Sequence, residues 1–181
     1  MPKRNKPIRI LAIDPGTKYM GIAVLENTNL IWRGIKALKH RKIPHRFLKE
    51  ARKIILELFE DYEPCVLVLE KTFFVQSKRS SLLNVLTDEI KLLGKRKGLK
   101  IFEYAPTTVR KFICQDGKAT KMETAKLIAT RYYPWLYYDY AKEKGKAWFK
   151  EKYWLHAFDA IALGLMCYYH DLDGKIAPRV R

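Results

Sequence analysis

Residues 8–25 read IRILAIDPGTKYMGIAVL, and this stretch decides the fold. The apolar run at residues 8–13 stops at Asp14-Pro15-Gly16, the pattern of a buried strand ending in a turn. Residues 20–25 and 30–35 read as two further strands, with Glu26-Asn27-Thr28-Asn29 as the hairpin turn. A helix follows Pro44, where Phe47, Leu48, Ala51, Ile54, Ile55, Leu58 and Phe59 keep the spacing of one apolar face. Glu63-Pro64 ends it, and residues 65–69 (CVLVL) make another buried strand.

Further along, residues 77–97 form a second helix with Leu82, Leu86, Ile90 and Leu93 on one stripe. Residues 100–104 are a short strand, and Pro106 opens a turn or short helix reaching Ile113. Thr120-Lys121-Met122-Glu123 has the form of a capping box, so a third major helix starts there and runs to Tyr133. A last helix covers residues 155–169. This order predicts an α/β protein: a central mixed five-stranded sheet flanked by helices. The whole chain, 1–181, reads as one domain with basic tails at 1–7 and 171–181.

The 181 residues carry 36 Lys and Arg against 19 Asp and Glu, a net charge of +17. Such a field attracts polyanions and makes nucleic acid the leading partner class, ahead of a merely lysine-rich surface of thermophilic type. Cys65, Cys114 and Cys167 are odd in number, far apart and set in apolar surroundings. They read as reduced core thiols, not a disulfide framework or a zinc site. With no apolar run long enough to span a bilayer and no signal peptide, the expected location is the cytoplasm, away from membranes.

The chemistry rests on few residues. Asp14 and Glu70 each end a buried strand, and such acids can converge at one edge of a sheet. The last helix, LHAFDAIALGLMCYY, is apolar nearly all round except for His156 and Asp159. These stand at i and i+3, one turn apart on one face. Burying an unpaired carboxylate costs several kcal/mol or shifts its pKa. A metal cation shared with Asp14 and Glu70 removes that conflict; a structural pairing with a buried Lys or Arg is the alternative. Oxygen-rich ligands with one imidazole suit Mg²⁺ or Mn²⁺, one or two ions per site, acting in phosphodiester hydrolysis.

Residues 10–24 (ILAIDPGTKYMGIAV), the Leu69-Glu70 strand end and residues 156–163 (HAFDAIAL) together resemble the motif blocks of the RuvC family of Holliday-junction resolvases. The blocks keep the family's order over nearly the whole chain. The resemblance implies an RNase H-like fold, a homodimer, a divalent metal and paired nicks across four-way DNA junctions, with a branch-migration helicase as a candidate partner. It assigns the catalytic, metal-holding site to Asp14, Glu70, His156 and Asp159. Phe73-Phe74 falls where the family carries an aromatic that wedges against bases at the junction centre. Residues 117–121 (GKATK) resemble the loop and helix start bearing the family's functional lysine, Lys121 being the nearest match. Lys71, Arg79, Arg110 and Lys118 complete the candidate DNA contacts beside Phe73, Phe74 and Lys121.

Two features depart from the family. Residues 134–154 (PWLYYDYAKEKGKAWFKEKYW) form a longer segment, aromatic and basic, suited either to DNA contact or to packing on the body. Lys71 replaces an uncharged polar residue, which bears on sequence preference at the cut. The nearest rival reading is a related nuclease acting on flaps, forks or structured RNA. A sugar-kinase-type ATPase needs a second related domain and a glycine-rich adenosine motif, and a junction-binding protein with a decayed site would not keep the acidic quartet.

Overall fold

The computed structural model describes residues 7–72, 78–146 and 153–172, with residues 78–80 described as backbone only. Strands β1 (Arg9–Asp14), β2 (Tyr19–Glu26) and β3 (Asn29–Ala37) form an antiparallel meander. The tight β2–β3 turn places Asn27 in the left-handed region (φ 56°), which Asn tolerates better than most residues. Helix α1 (Pro44–Tyr62) starts with proline in its first turn and ends at Glu63. It returns the chain to β4 (Val66–Glu70), parallel to β1. Helix α2 (Lys78–Arg96) then leads to β5 (Lys100–Tyr104), parallel to β4, so the sheet order is β3-β2-β1-β4-β5. Helices α3 (Pro106–Cys114), α4 (Lys121–Leu127), α5 (Tyr137–Lys144) and α6 (Leu155–Cys167) follow.

The strands alternate between two apolar layers, as the two-residue period of a strand requires. Leu11, Ile13, Met20, Ile22, Val24, Leu67 and Leu69 pack with α1 and α2 residues. Ile10, Ala12, Ala23, Leu25, Val66 and Val68 pack with α3, α4 and α6 residues. The same alternation assigns Asp14, after Ile10 and Ala12, to the α6 face. It assigns Glu70, after Val66 and Val68, to that face too. Since Ile13 pairs with Leu69 in the parallel ladder, the two acids end neighbouring strands side by side.

Helix α6 is buried from Ala157 through Cys167 and lies against the sheet at backbone distance. Two glycines allow this. A Cβ at Gly21 would stand 1.9 Å from the His156 carbonyl oxygen, and one at Gly164 would stand 2.4 Å from a Leu25 methyl. Eight helical residues rise about 12 Å, and four strand residues span about 13 Å. The helix therefore runs along β2 with its first turn over Gly21 and its third over Leu25. That register delivers His156 and Asp159 to the end of the sheet where Asp14 and Glu70 sit.

Three expectations need correction. The helix expected to continue to Tyr133 leaves α-geometry at Leu127 and closes in a π-helical turn, Ile128–Tyr132. There the Tyr133 N–H donates to the Ile128 carbonyl at 2.8 Å, and Pro134 blocks any continuation. The last helix likewise ends in a π-turn, Tyr168–Leu172. Cys65 is exposed and Cys114 half-buried, leaving only Cys167 in the core; Cys65 precedes β4 and so escapes its packing. Of the two readings of the 134–154 segment, packing on the body holds for its described part 134–146. A 3₁₀ turn (Pro134–Leu136) and α5 bury Leu136 and Tyr140 against the α6 layer. Among the described residues no helix is long and apolar enough to cross a membrane.

Gly21→Ala tests the close seat of α6. The methyl meets backbone, which cannot rotate away, so a loss of about 1–3 kcal/mol in urea unfolding is expected. A change below a few tenths of a kcal/mol would mean that α6 does not lie on β2 as described.

Candidate metal centre

The acidic cluster is built from two elements, β1 and α6. Asp14 comes from the end of β1, and His156 and Asp159 come from the first two turns of α6. Each can offer one ligand atom such that all three atoms lie within 4.8 Å of one another. His156 Nδ1 is 2.6 Å from Asp14 Oδ2, within hydrogen-bonding distance. Asp14 and Asp159 are both buried, and His156 is half-buried.

Lys121 comes from the start of α4, and its placement is local in origin. The capping box forms as the sequence predicts: Thr120 accepts from the Glu123 N–H, and Glu123 accepts from the Thr120 N–H at 2.6 Å. That cap fixes where α4 begins and sets Lys121 on its first turn. The ammonium pairs with Asp159 and lies 4.0 Å from Asp14 Oδ2. Lys121 thus partly neutralises the cluster, so the structural alternative raised by the sequence, a lysine partner for the buried aspartate, is present.

One ammonium does not balance three carboxylates. Burial, then the nearby Asp14 and Asp159 charges, raise the Glu70 pKa to about 8, against the opposing pull of Lys121 and Arg110. Burial and Asp14 raise Asp159 to about 6 even with Lys121 bonded to it. Burial by itself would lower the Lys121 pKa, but Asp159 and Asp14 outweigh it and hold the ammonium firmly protonated. A site in which acids retain protons near neutrality lacks positive charge. The donor set fits a hard divalent cation: Mg²⁺ binds oxygen at about 2.1 Å, so opposed ligand atoms stand about 4.2 Å apart.

Of the expected quartet, Asp14, His156 and Asp159 meet in one cluster and Glu70 stands beside it within electrostatic reach. Arg110, half-buried on α3, acts on Glu70. Lys71 and Lys118 are exposed. Phe73, Phe74 and the Arg79 side chain lie outside the described residues. Sequence reading missed Gly21 and Tyr19. Both follow from the alternation of β2, in which 19, 21, 23 and 25 share the face that meets α6.

A mixed sheet in this strand order, with helices on both faces and acids gathered where β1 and β4 end, defines the RNase H-like class of nucleases. The sequence profile of crossover junction endodeoxyribonuclease RuvC matches residues 10–131. RuvC from Geotalea uraniireducens is 30% identical over 127 residues, covering 67% of this chain and 74% of the relative. RuvC from Neorickettsia sennetsu is 32% identical over 124 residues, 65% of this chain and 75% of the relative. In structure, Thermus thermophilus RuvC in complex with a Holliday junction substrate superposes with a TM-score of 0.71. It is 17% identical and covers 92% of this chain and 96% of its own. The yeast mitochondrial Holliday junction resolvase gives 0.67 at 15% identity, covering 93% of this chain and 81% of its own. The chain belongs to the RuvC family. The matched profile stops before α6, so the geometry itself supplies His156 and Asp159.

The raised acids make metal-free stability depend on pH. Folded Glu70 and Asp159 retain protons in a window where unfolded carboxylates, near pKa about 4, have lost them. Their contribution is present at low pH and is lost as pH climbs to about 8. Urea midpoints measured in chelator should fall from pH 5 to pH 8.5, less steeply in Glu70→Gln. A midpoint that rises over this range would contradict the charge balance described.

Proposed function

We propose that this chain resolves four-way DNA junctions, cutting two strands symmetrically by phosphodiester hydrolysis with Mg²⁺, or Mn²⁺ in its place. The observation that carries the reading is the convergence of Asp14, His156 and Asp159 on one point, with Glu70 beside them. Relatives that share the profile are named crossover junction endodeoxyribonucleases, and a structural neighbour holds a Holliday junction.

Asp14, Asp159 and His156 would hold the divalent cation, with Glu70 alongside. When bound, it supplies Lewis acidity, activating water for attack on phosphorus and offsetting charge on the leaving 3′ oxygen. The Asp14 carboxylate orients the His156 ring through Nδ1. Glu70, once it has given up its proton in response to the incoming charge, is suited to offer the cation a further carboxylate oxygen. Lys121 is the fixed cation of the site and is suited to pair with an oxygen of the scissile phosphate. The rest of the edge favours polyanions: β3 runs parallel to β1, so the loop after it opens at the same end of the sheet. Lys39, Arg41, Lys42 and Arg46 are exposed there.

Four-way junction, fork, flap, duplex and structured-RNA substrates, incubated with Mg²⁺ or Mn²⁺, test the reading. Paired nicks confined to the junction are expected, and equal cutting of forks or RNA would overturn the junction assignment. Asp14→Asn, Glu70→Gln and Asp159→Asn should each abolish cleavage while junction affinity stays within a few-fold, because affinity comes mainly from Lys and Arg contacts to phosphate. Any one that cleaves normally leaves the site.

Symmetric cutting of a two-fold junction calls for two identical sites, hence a homodimer. On α2, Leu86, Ile90 and Leu93 face the core, while Val85 and Leu92 are 46% and 42% exposed. They are seven residues apart and so form one outward stripe, suited to a second α2. Light scattering should give twice the 21.3 kDa chain mass, and Leu92→Glu should return it to one. A wild-type monomer with and without junction DNA would contradict the dimer.

A further inference from the structure

The segment that follows the π-turn after α4 is clamped to the sheet at both ends. Arg33 on β3 lies 5.4 Å from the Trp135 ring centroid and 5.5 Å from that of Trp154, and it pairs with Asp139. Trp154 immediately precedes α6, so the clamp also fixes its neighbour Tyr153. Tyr153 is not a core residue; it is 38% exposed. Its ring centroid is 5.9 Å from that of Tyr19, which is in turn 6.4 Å from that of His156. Lys146 Nζ stands 4.4 Å from the Tyr153 ring and Lys18 Nζ stands 4.9 Å from the Tyr19 ring.

The result is a row of three rings that begins in the acidic cluster and ends at the surface, with an ammonium over one face of each tyrosine, that of Lys146 also paired with Glu143. Tyr19 is there because β2 alternation puts it on the face of Gly21, one step beyond the first turn of α6. Aromatic faces bordered by ammonium groups take unstacked bases and their flanking phosphates, whatever the base. A duplex offers few such bases, whereas a strand opened at a branch point does.

We propose that Tyr153 and Tyr19, each with an ammonium (Lys146 and Lys18) over one face, form a nucleotide-stacking subsite beside His156. It holds an unpaired base of the cut strand next to the scissile phosphate. The proposal rests on the reading of the chain as a nuclease acting on branched DNA. It gives Tyr153 and Lys146, which lie beyond the matched residues 10–131, a substrate contact shared with Tyr19 and Lys18.

The test uses the full-length protein and a synthetic four-way junction carrying 2-aminopurine, in turn, at each nucleotide flanking the cut. With chelator present the junction stays uncut and the probe reports stacking. Wild type and Tyr153→Phe should quench the probe at one position. Tyr153→Leu should lose that quenching and, with Mg²⁺ restored, cleave roughly tenfold or more slowly in a single turnover. Slower cleavage with quenching intact would mean that the ring only positions His156, and overturns the subsite. So does equal behaviour of the Leu variant and wild type, or a fall in Tm of the Leu variant without any loss of quenching. Wild type that leaves the junction uncut overturns the functional reading instead, and quenching on that uncut junction still decides the subsite.

Discussion

Asp159 is the one carboxylate in a helix that is apolar apart from it and His156, and it is held at 8% exposure. Removing such a group from water is opposed by several kcal/mol unless positive charge comes with it. The structure meets that demand from α4, whose capped first turn presents Lys121 to Asp159. The demand is not fully met, because Asp14 and Glu70 share the same corner and one ammonium serves all three. Burial and mutual repulsion accordingly raise the proton affinity of Glu70 and Asp159. The geometry that makes the corner expensive is also what makes it a cation site. Relieving the strain by exposing the acids would require lifting α6 from the sheet, and the whole second apolar layer depends on that helix staying in place.

How α6 is seated explains much of the rest. Small residues on one face of the sheet (Ala12, Gly21 and Ala23) let the helix approach, while the opposite face carries larger side chains under α1 and α2. The core is thereby asymmetric, with the close-packed side serving the site. The segment after α4 completes this side by clamping Trp154, the residue from which α6 departs, against Arg33.

Much of this was legible in the sequence, for identifiable reasons. Buried strands read clearly because residues 8–13 and 65–69 are apolar and end abruptly at turns or acids, which also marks Asp14 and Glu70. His156 and Asp159 stood out because they interrupt an apolar helix at i, i+3. The capping box at Thr120 was readable because it is a purely local pattern. What escaped depends on packing between distant segments. The close approach at Gly21 is set by the backbone of a residue 135 positions later. The helix α5 was hidden because its apolar spacing, Leu136 to Tyr140, is buried in a run of aromatics that has no clear polar face. The break from α to π geometry after Leu127 has no short-range signature except the later Pro134.

The central claim is that the fold concentrates negative charge at this corner and that a divalent cation completes it. Calorimetric titration of the metal-free protein with Mn²⁺ at pH 7, repeated in buffers of different ionisation enthalpy, reads both binding and proton release. The account predicts binding accompanied by release of about one proton per ion, as the protonated acids ionise against the cation. It also predicts loss of that binding in Asp14→Asn and Asp159→Asn. Binding without proton release, or binding that is unchanged in both variants, would contradict it.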